Sequence, residues 1–253
     1  CTEKGYTTHT CSCGDSYVDS YVDALGHTAG ETVIKNIKNG DPTNGVKASY
    51  DLVGTCSTCG EEVTNTIELN NVIKNMSMAL EDGLQVRMNM PKDGLPEGGI
   101  YVVFSRDRAN GMPSETETAY LGVDSGYSQW IDAKKTTTYA YNNIAACEMI
   151  DTFRVLVYNT NDEIIGVYEG TLGEYLLNKM RASTNDKYRT FVVDLLNYGA
   201  ATQEKFTYGP ENLVNKDLTD AERALATVSQ EGQSNLVTGN GYKDNTLAFE
   251  SKI

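Results

Sequence analysis

This chain of 253 residues contains only two histidines and one tryptophan. It has no apolar run approaching the roughly 20 residues that a membrane-crossing helix needs, so no membrane span is expected in it. It also lacks GxSxG, HExxH and a phosphate-cradling glycine loop, which removes three widespread signatures of catalysis and nucleotide binding. Positive charge is scarce: 21 lysines and arginines face 35 aspartates and glutamates, a net charge of −14. Such a surface repels phosphate backbones, so nucleic acid is excluded as an expected partner. Glycoside hydrolysis requires two carboxylates about 5 to 9.5 Å apart in a cleft. Asp151, Asp162 and Glu163 flank strand-like stretches, where acids are ordinarily solvated. His9 stands two residues before Cys11 and would share its strand face, but no neighbour reads as an oxyanion hole or a third catalytic member. The chain is therefore expected not to be an enzyme.

What is present divides near residues 66 to 71. Five of the six cysteines and both histidines precede that point, and strand-rich sequence follows. The first part holds an internal repeat: "YTTHTCSCGDSYVDSYVDALGH" is echoed by "ASYDLVGTCSTCGEEVTNTIELN". Each reads as a β-hairpin whose turn carries paired thiols. In "CSTCG", Gly60 permits the positive φ of a tight turn, which lets Cys56 and Cys59 present both sulfurs to one point, the geometry of a metal knuckle. Cys147, flanked by Ala145, Ala146 and Met149, reads as a buried small hydrophobe.

Beyond residue 70 the apolar period is mainly two. In "DTFRVLVYNTNDEIIGVYEG", Phe153, Val155 and Val157 share a face, and Asn159 to Asp162 make the turn. Two amphipathic helices follow. "TLGEYLLNKMRAS" has Thr171 as its N-cap, and "DKYRTFVVDLLNYGAATQEKF" is expected to cover a sheet. "LTDAERALATVSQ" adds a third, shorter helix. The expected fold is mainly β: two small cysteine-rich β-hairpin units at 1–30 and 31–70, then an antiparallel β-sandwich with packed α-helices at 71–230. Residues 231–253 are expected to start a further repeat, because "LAFESKI" echoes "MALEDGL". The aromatic cluster Tyr127, Trp130, Tyr139 and Tyr141 is a candidate glycan platform if it faces solvent. "DPTN" and "NTND" could hold calcium, although turns use the same residues without metal.

Two stretches carry a family resemblance. "CTEKGYTTHTCSCGDSYVDSYVDALGH" is similar to the cysteine-rich repeats of large surface proteins of anaerobic Gram-positive bacteria. "VVDLLNYGAATQEKFTYGPENLVNKDLT" resembles the sandwich-plus-helix modules of the same kinds of protein. The first resemblance implies a Cys3His zinc site at Cys1, Cys11, Cys13 and His27. Two features depart from the pattern: Cys-Ser-Cys is one residue shorter than CxxC, and the second copy keeps only Cys56 and Cys59. Disulfides, or a site shared between the two cysteine pairs, stand as alternatives. Together the resemblances imply a non-catalytic structural or adhesive segment of an extracellular, cell-surface repeat protein. They further imply a longer chain, with neighbouring modules, other copies in a filament, or surface glycans as partners. A carbohydrate-binding module of a polysaccharide-degrading system is the alternative function.

Overall fold

The computed structural model describes residues 1–80, 83–121, 130–131 and 136–239. Among the described residues the chain is mainly β, with four antiparallel sheets, and it divides into two compact units. One comprises Cys1–Ile37 with Ser49–Glu68, and the other Lys38–Ala48 with the chain from Leu69 onward.

In the first unit, β1 (Gly5–Thr10) and β2 (Ser16–Val22) form a hairpin in which His9 faces Tyr17 and Thr10 faces Ser16. Every residue of these strands except Asp19 is exposed. The second cysteine-bearing piece is a three-stranded sheet rather than the expected hairpin, in the order β3 (Ala29–Lys38), β4 (Ala48–Cys56), β5 (Glu62–Leu69). The additional strand is "AGETVIKNIK". Its β-branched Thr32, Val33 and Ile34 favour extended backbone, and it lies outside the repeated pattern from which the hairpin was read.

The second unit holds two four-stranded sheets. One has the order β10 (Trp130–Ile131), β11 (Thr136–Ile144), β7 (Leu84–Pro91), β6 (Asn75–Leu80). The other has the order β13 (Ile164–Gly170), β12 (Thr152–Tyr158), β8 (Ile100–Asp107), β9 (Glu115–Leu121). Alternation places Val86, Met88 and Met90 of β7, Val102 and Phe104 of β8, and Phe153, Val155 and Val157 of β12 in one core. Phe104 stacks on Tyr141 with ring centroids 4.1 Å apart, joining the two sheets across that core. The outer edge of β13 is partly covered by chain from the start of the unit. The Asn39 side chain donates to the Glu169 carbonyl at 2.7 Å and accepts from the Glu169 N–H at 2.8 Å, imitating a strand partner for one residue.

Helices α1 (Leu172–Ala182) and α2 (Asp186–Phe206) add Leu172, Leu176, Met180, Val192, Leu195 and Leu196 to the same core. Thr171 caps α1 as expected. Its hydroxyl accepts from the Glu174 N–H at 3.1 Å, and the Glu174 carboxylate accepts from the Thr171 N–H at 3.4 Å. The third helix is shorter than expected. α3 (Asp220–Arg223) is one turn capped by Thr219, and a separate α4 (Gln230–Gly239) occupies the start of the stretch read as a further repeat. The "LAFESKI" echo lies outside the described residues.

Helix α2 crosses the 3-10 turn Ala146–Ile150 at Gly199. A Cβ at that position would meet Met149 Cε at 2.2 Å, Val214 Cγ1 at 2.9 Å and the Ala146 carbonyl oxygen at 3.1 Å. In an unhindered helix, alanine for glycine gains about 1 kcal/mol. Here the clash is expected to reverse the sign, so Gly199→Ala should lower the urea midpoint. A raised midpoint would show that α2 does not approach the turn this closely.

Arg181 on α1 grips Glu222 of α3 through Nε–Oε1 at 2.8 Å and Nη2–Oε2 at 3.0 Å. This fork holds the Glu222 carboxyl down at about 2, below its ordinary 4.5. A depressed folded-state value means that the contribution is present above the ordinary value and is lost as pH falls from there towards about 2. Glu222→Gln should therefore lower the urea midpoint at about pH 6 and leave it near wild type at about pH 2. Equal losses at both pH values would contradict the ionic origin.

Candidate metal centre

Strand β4 ends on Cys56, and the chain then turns through Ser57, Thr58 and Cys59 to Gly60, whose φ is +79°. The Gly60 N–H donates to the Cys56 carbonyl at 2.9 Å, and the Cys56 N–H donates to the Glu61 carbonyl at 2.8 Å, so the turn is pinned at both ends. Ser57 N–H donates to the Thr28 carbonyl at 3.2 Å, which lays the residues leading into β3 beside this turn and brings His27 with them. Gly26 N–H donates to the Cys1 carbonyl at 2.9 Å, tying the first residue to the same place.

These backbone contacts bring one ligand atom from each of Cys1, His27, Cys56 and Cys59 within 4.8 Å of one another, so the cluster could hold a metal ion. Cys1 Sγ and Cys56 Sγ are 3.7 Å apart, and Cys59 Sγ is 3.3 Å from His27 Nδ1. The other ring nitrogen, Nε2, lies 3.3 Å from Glu61 Oε2. That arrangement orients the imidazole and leaves Nδ1 free to act as a ligand. The backbone N–H groups of Cys59 and Thr58, with His27, hold the Cys56 thiol down at about 6. Thiolate is the ligand form, so this turn favours metal capture.

The ligand set differs from the one the family resemblance implied. Cys1 and His27 are in the cluster, while Cys11 and Cys13 are joined to each other in a disulfide. The cause is the length of β1. Its six residues carry the Cys-Ser-Cys turn to the tip of the hairpin, about 20 Å of extended chain from its base, where Cys1 and His27 lie. Cys56 and Cys59 take the places assigned to the missing pair. The clue lay in complementary deficits: the first copy has a leading cysteine and a terminal histidine but no CxxC, and the second has CxxC without either. Glu61 carried no sequence signal.

The other sequence candidates have structural partners. His9 Nε2 contacts Asp19 Oδ1 at 2.8 Å, and its ring stacks on Tyr17. Cys147 is buried, which pushes its thiol up to about 12. In "DPTN" the Asp41 carboxylate accepts from Thr43 N–H, Asn44 N–H and Asn44 Nδ2. In "NTND" Asn159 Oδ1 accepts from the N–H groups of Asn161 and Glu163. Both are turn bonds that engage the oxygens calcium would need. Among the described residues, no second cluster of three or more His, Cys, Asp or Glu converges. Of the aromatic platform, Tyr127 and the side chain of Trp130 lie outside the described residues. Tyr139 is 3 % exposed and donates to Glu117 Oε1 at 3.0 Å. It points into the sandwich and so cannot be part of a solvent-facing strip.

Comparison with protein-family models, curated proteins and solved structures finds no match to this chain. The thiol assignment makes its own prediction. After chelation, alkylation in denaturant without reductant should label Cys1, Cys56, Cys59 and Cys147 and spare Cys11 and Cys13. Labelling of Cys11 and Cys13 would contradict the disulfide.

Proposed function

We propose that this chain is a non-catalytic structural or adhesive segment of an extracellular surface protein, and that its first unit is stapled by one zinc ion bound to Cys1, His27, Cys56 and Cys59. The observation that carries the reading is the convergence of these four side chains from separate pieces of β-structure within 4.8 Å, in a unit whose hairpin strands are almost wholly exposed. A tetrahedral zinc has bonds of about 2.3 Å to sulfur and about 2.0 to 2.1 Å to nitrogen. These imply edges of about 3.8 Å between sulfurs and about 3.6 Å between sulfur and nitrogen. The cluster has 3.7 Å and 3.3 Å for one edge of each kind.

Three thiolates and one imidazole form a soft donor set that suits zinc over calcium or magnesium. Four protein ligands also close the coordination shell, which favours a structural role, because catalytic zinc keeps a position open for water. The Cys11–Cys13 disulfide fits an oxidising, extracellular setting. The net charge of −14 would keep an array of such modules soluble and mutually repelling. The resemblance to repeat modules of bacterial surface proteins supports neighbouring modules, or other copies in a filament, as partners.

Elemental analysis of natively isolated protein should give one zinc per chain. Cys59→Ser should lose it, with collapse of the NMR signals of residues 1–37 and those of the second unit unchanged. Metal-free protein with unmodified thiols and an ordered first unit would overturn the staple.

A further inference from the structure

A cavity of about 640 Å³ opens in the second unit, walled by Arg106, Arg108, Asn110, Glu115, Glu148 and Phe206. Arg106 is 4 % exposed, and its two Nη atoms bond Glu148 at 2.9 Å and Glu115 at 2.7 Å. Arg108 meets the same two carboxylates at 2.6 Å and 3.2 Å. Two guanidiniums and two carboxylates thus form a closed ring in the wall. Among the described residues, Arg106 Nε and Arg108 Nε are buried without a hydrogen-bond partner.

A cluster of this kind is an inefficient way to stabilise a sandwich, since apolar residues of similar volume avoid the desolvation of four charges. Unpartnered N–H groups add to that cost. The cavity falls in the size range of small-molecule sites, and its chemistry narrows the ligand class. With Glu117 also in the lining, three carboxylates outnumber two guanidiniums, which disfavours an anion. Asp151 adds a further carboxylate 3.7 Å from Arg106, but the arginines engage Glu115 and Glu148, and the phenols of Tyr139 and Tyr208 engage Glu117 and Asp151, which gives a cation little to neutralise. What the wall offers is closely spaced donors and acceptors: guanidinium, amide and carboxylate groups, while the phenols of Tyr141 and Tyr208 donate to Glu115 and Asp151. Phe206 and Met112, 36 % and 53 % exposed, supply apolar surface at the cavity's edge. Dense mixed hydrogen-bonding groups beside an apolar face match a sugar, whose ring presents hydroxyls at its edge and C–H groups on its face.

We propose that this cavity binds a neutral oligosaccharide. Tyr141 of the aromatic cluster lines the cavity, and every lining residue belongs to the second unit. The inference therefore does not depend on the metal centre.

The test is a titration of the full chain followed by amide NMR. The probes are four neutral hexasaccharides, built of β-glucose, α-glucose, xylose and mannose, with a hexagalacturonate and hexalysine as charged controls. At least one neutral probe should shift the amides of Arg108, Asn110, Tyr141 and Phe206 and leave those of Cys56 and Cys59 in place. Met112→Ala should weaken that binding by about tenfold with the melting transition unchanged. No shift with any neutral probe, shifts only with a charged one, or full affinity in that variant would overturn the proposal. Loss of zinc from the first unit would leave all these outcomes readable.

Discussion

Between Cys1 and His27 the chain forms a hairpin whose side chains lie almost entirely in water. Burial therefore cannot hold it closed, and an isolated two-stranded hairpin is at best marginal. The convergence of Cys1 and His27 with Cys56 and Cys59 is the constraint that joins the base of this hairpin to the rest of the first unit. It closes the base of the β1–β2 hairpin onto the turn that leaves β4. Backbone bonds from Gly26 to Cys1 and from Ser57 to Thr28 bring the ligands to that point. A bound ion would convert their approach into a cross-link, as small domains with little core require. The Cys11–Cys13 disulfide closes a ring of only three residues at the hairpin tip, and so it cannot substitute for that tie.

The second unit is held by the opposite means. Its core runs continuously from the facing sheets into α1 and α2, with Phe104, Met88, Met149, Leu176 and Leu196 fully enclosed. Gly199 lets α2 approach the Ala146–Ile150 turn, and the Asp151 carboxylate accepts from Tyr208 at 2.8 Å and 2.9 Å beneath that turn. The polar groups around Arg106 stand apart from this pattern. They interrupt the buried face of β8, where alternation from Ile100, Val102 and Phe104 would call for a fourth hydrophobe.

Legibility in the sequence followed the range of the interactions. Period-two alternation in β12 and the N-cap at Thr171 are local, and each stands where the residues alone placed it. The truncation of α3 is a tertiary outcome: Arg181 reaches Glu222, and the chain then leaves the helix, with the N–H groups of Thr227 and Val228 meeting Asp194 of α2 at 2.8 Å and 3.1 Å. The inward orientation of Tyr139 was undecidable from a cluster of aromatics, because alternation defines two faces without saying which is buried. The ligand set divides in a related way. The family resemblance implied four ligands from one hairpin, with disulfides or a site shared between the cysteine pairs as alternatives, and the structure joins Cys11 to Cys13 and gathers Cys1 and His27 with Cys56 and Cys59.

X-ray absorption at the zinc edge of natively isolated protein tests the central claim most directly. The account predicts three sulfur neighbours at about 2.3 Å and one nitrogen neighbour at about 2.0 Å around each zinc, with the nitrogen shell lost in His27→Ala. A shell of oxygen and nitrogen alone, or an unchanged spectrum in that variant, would contradict it.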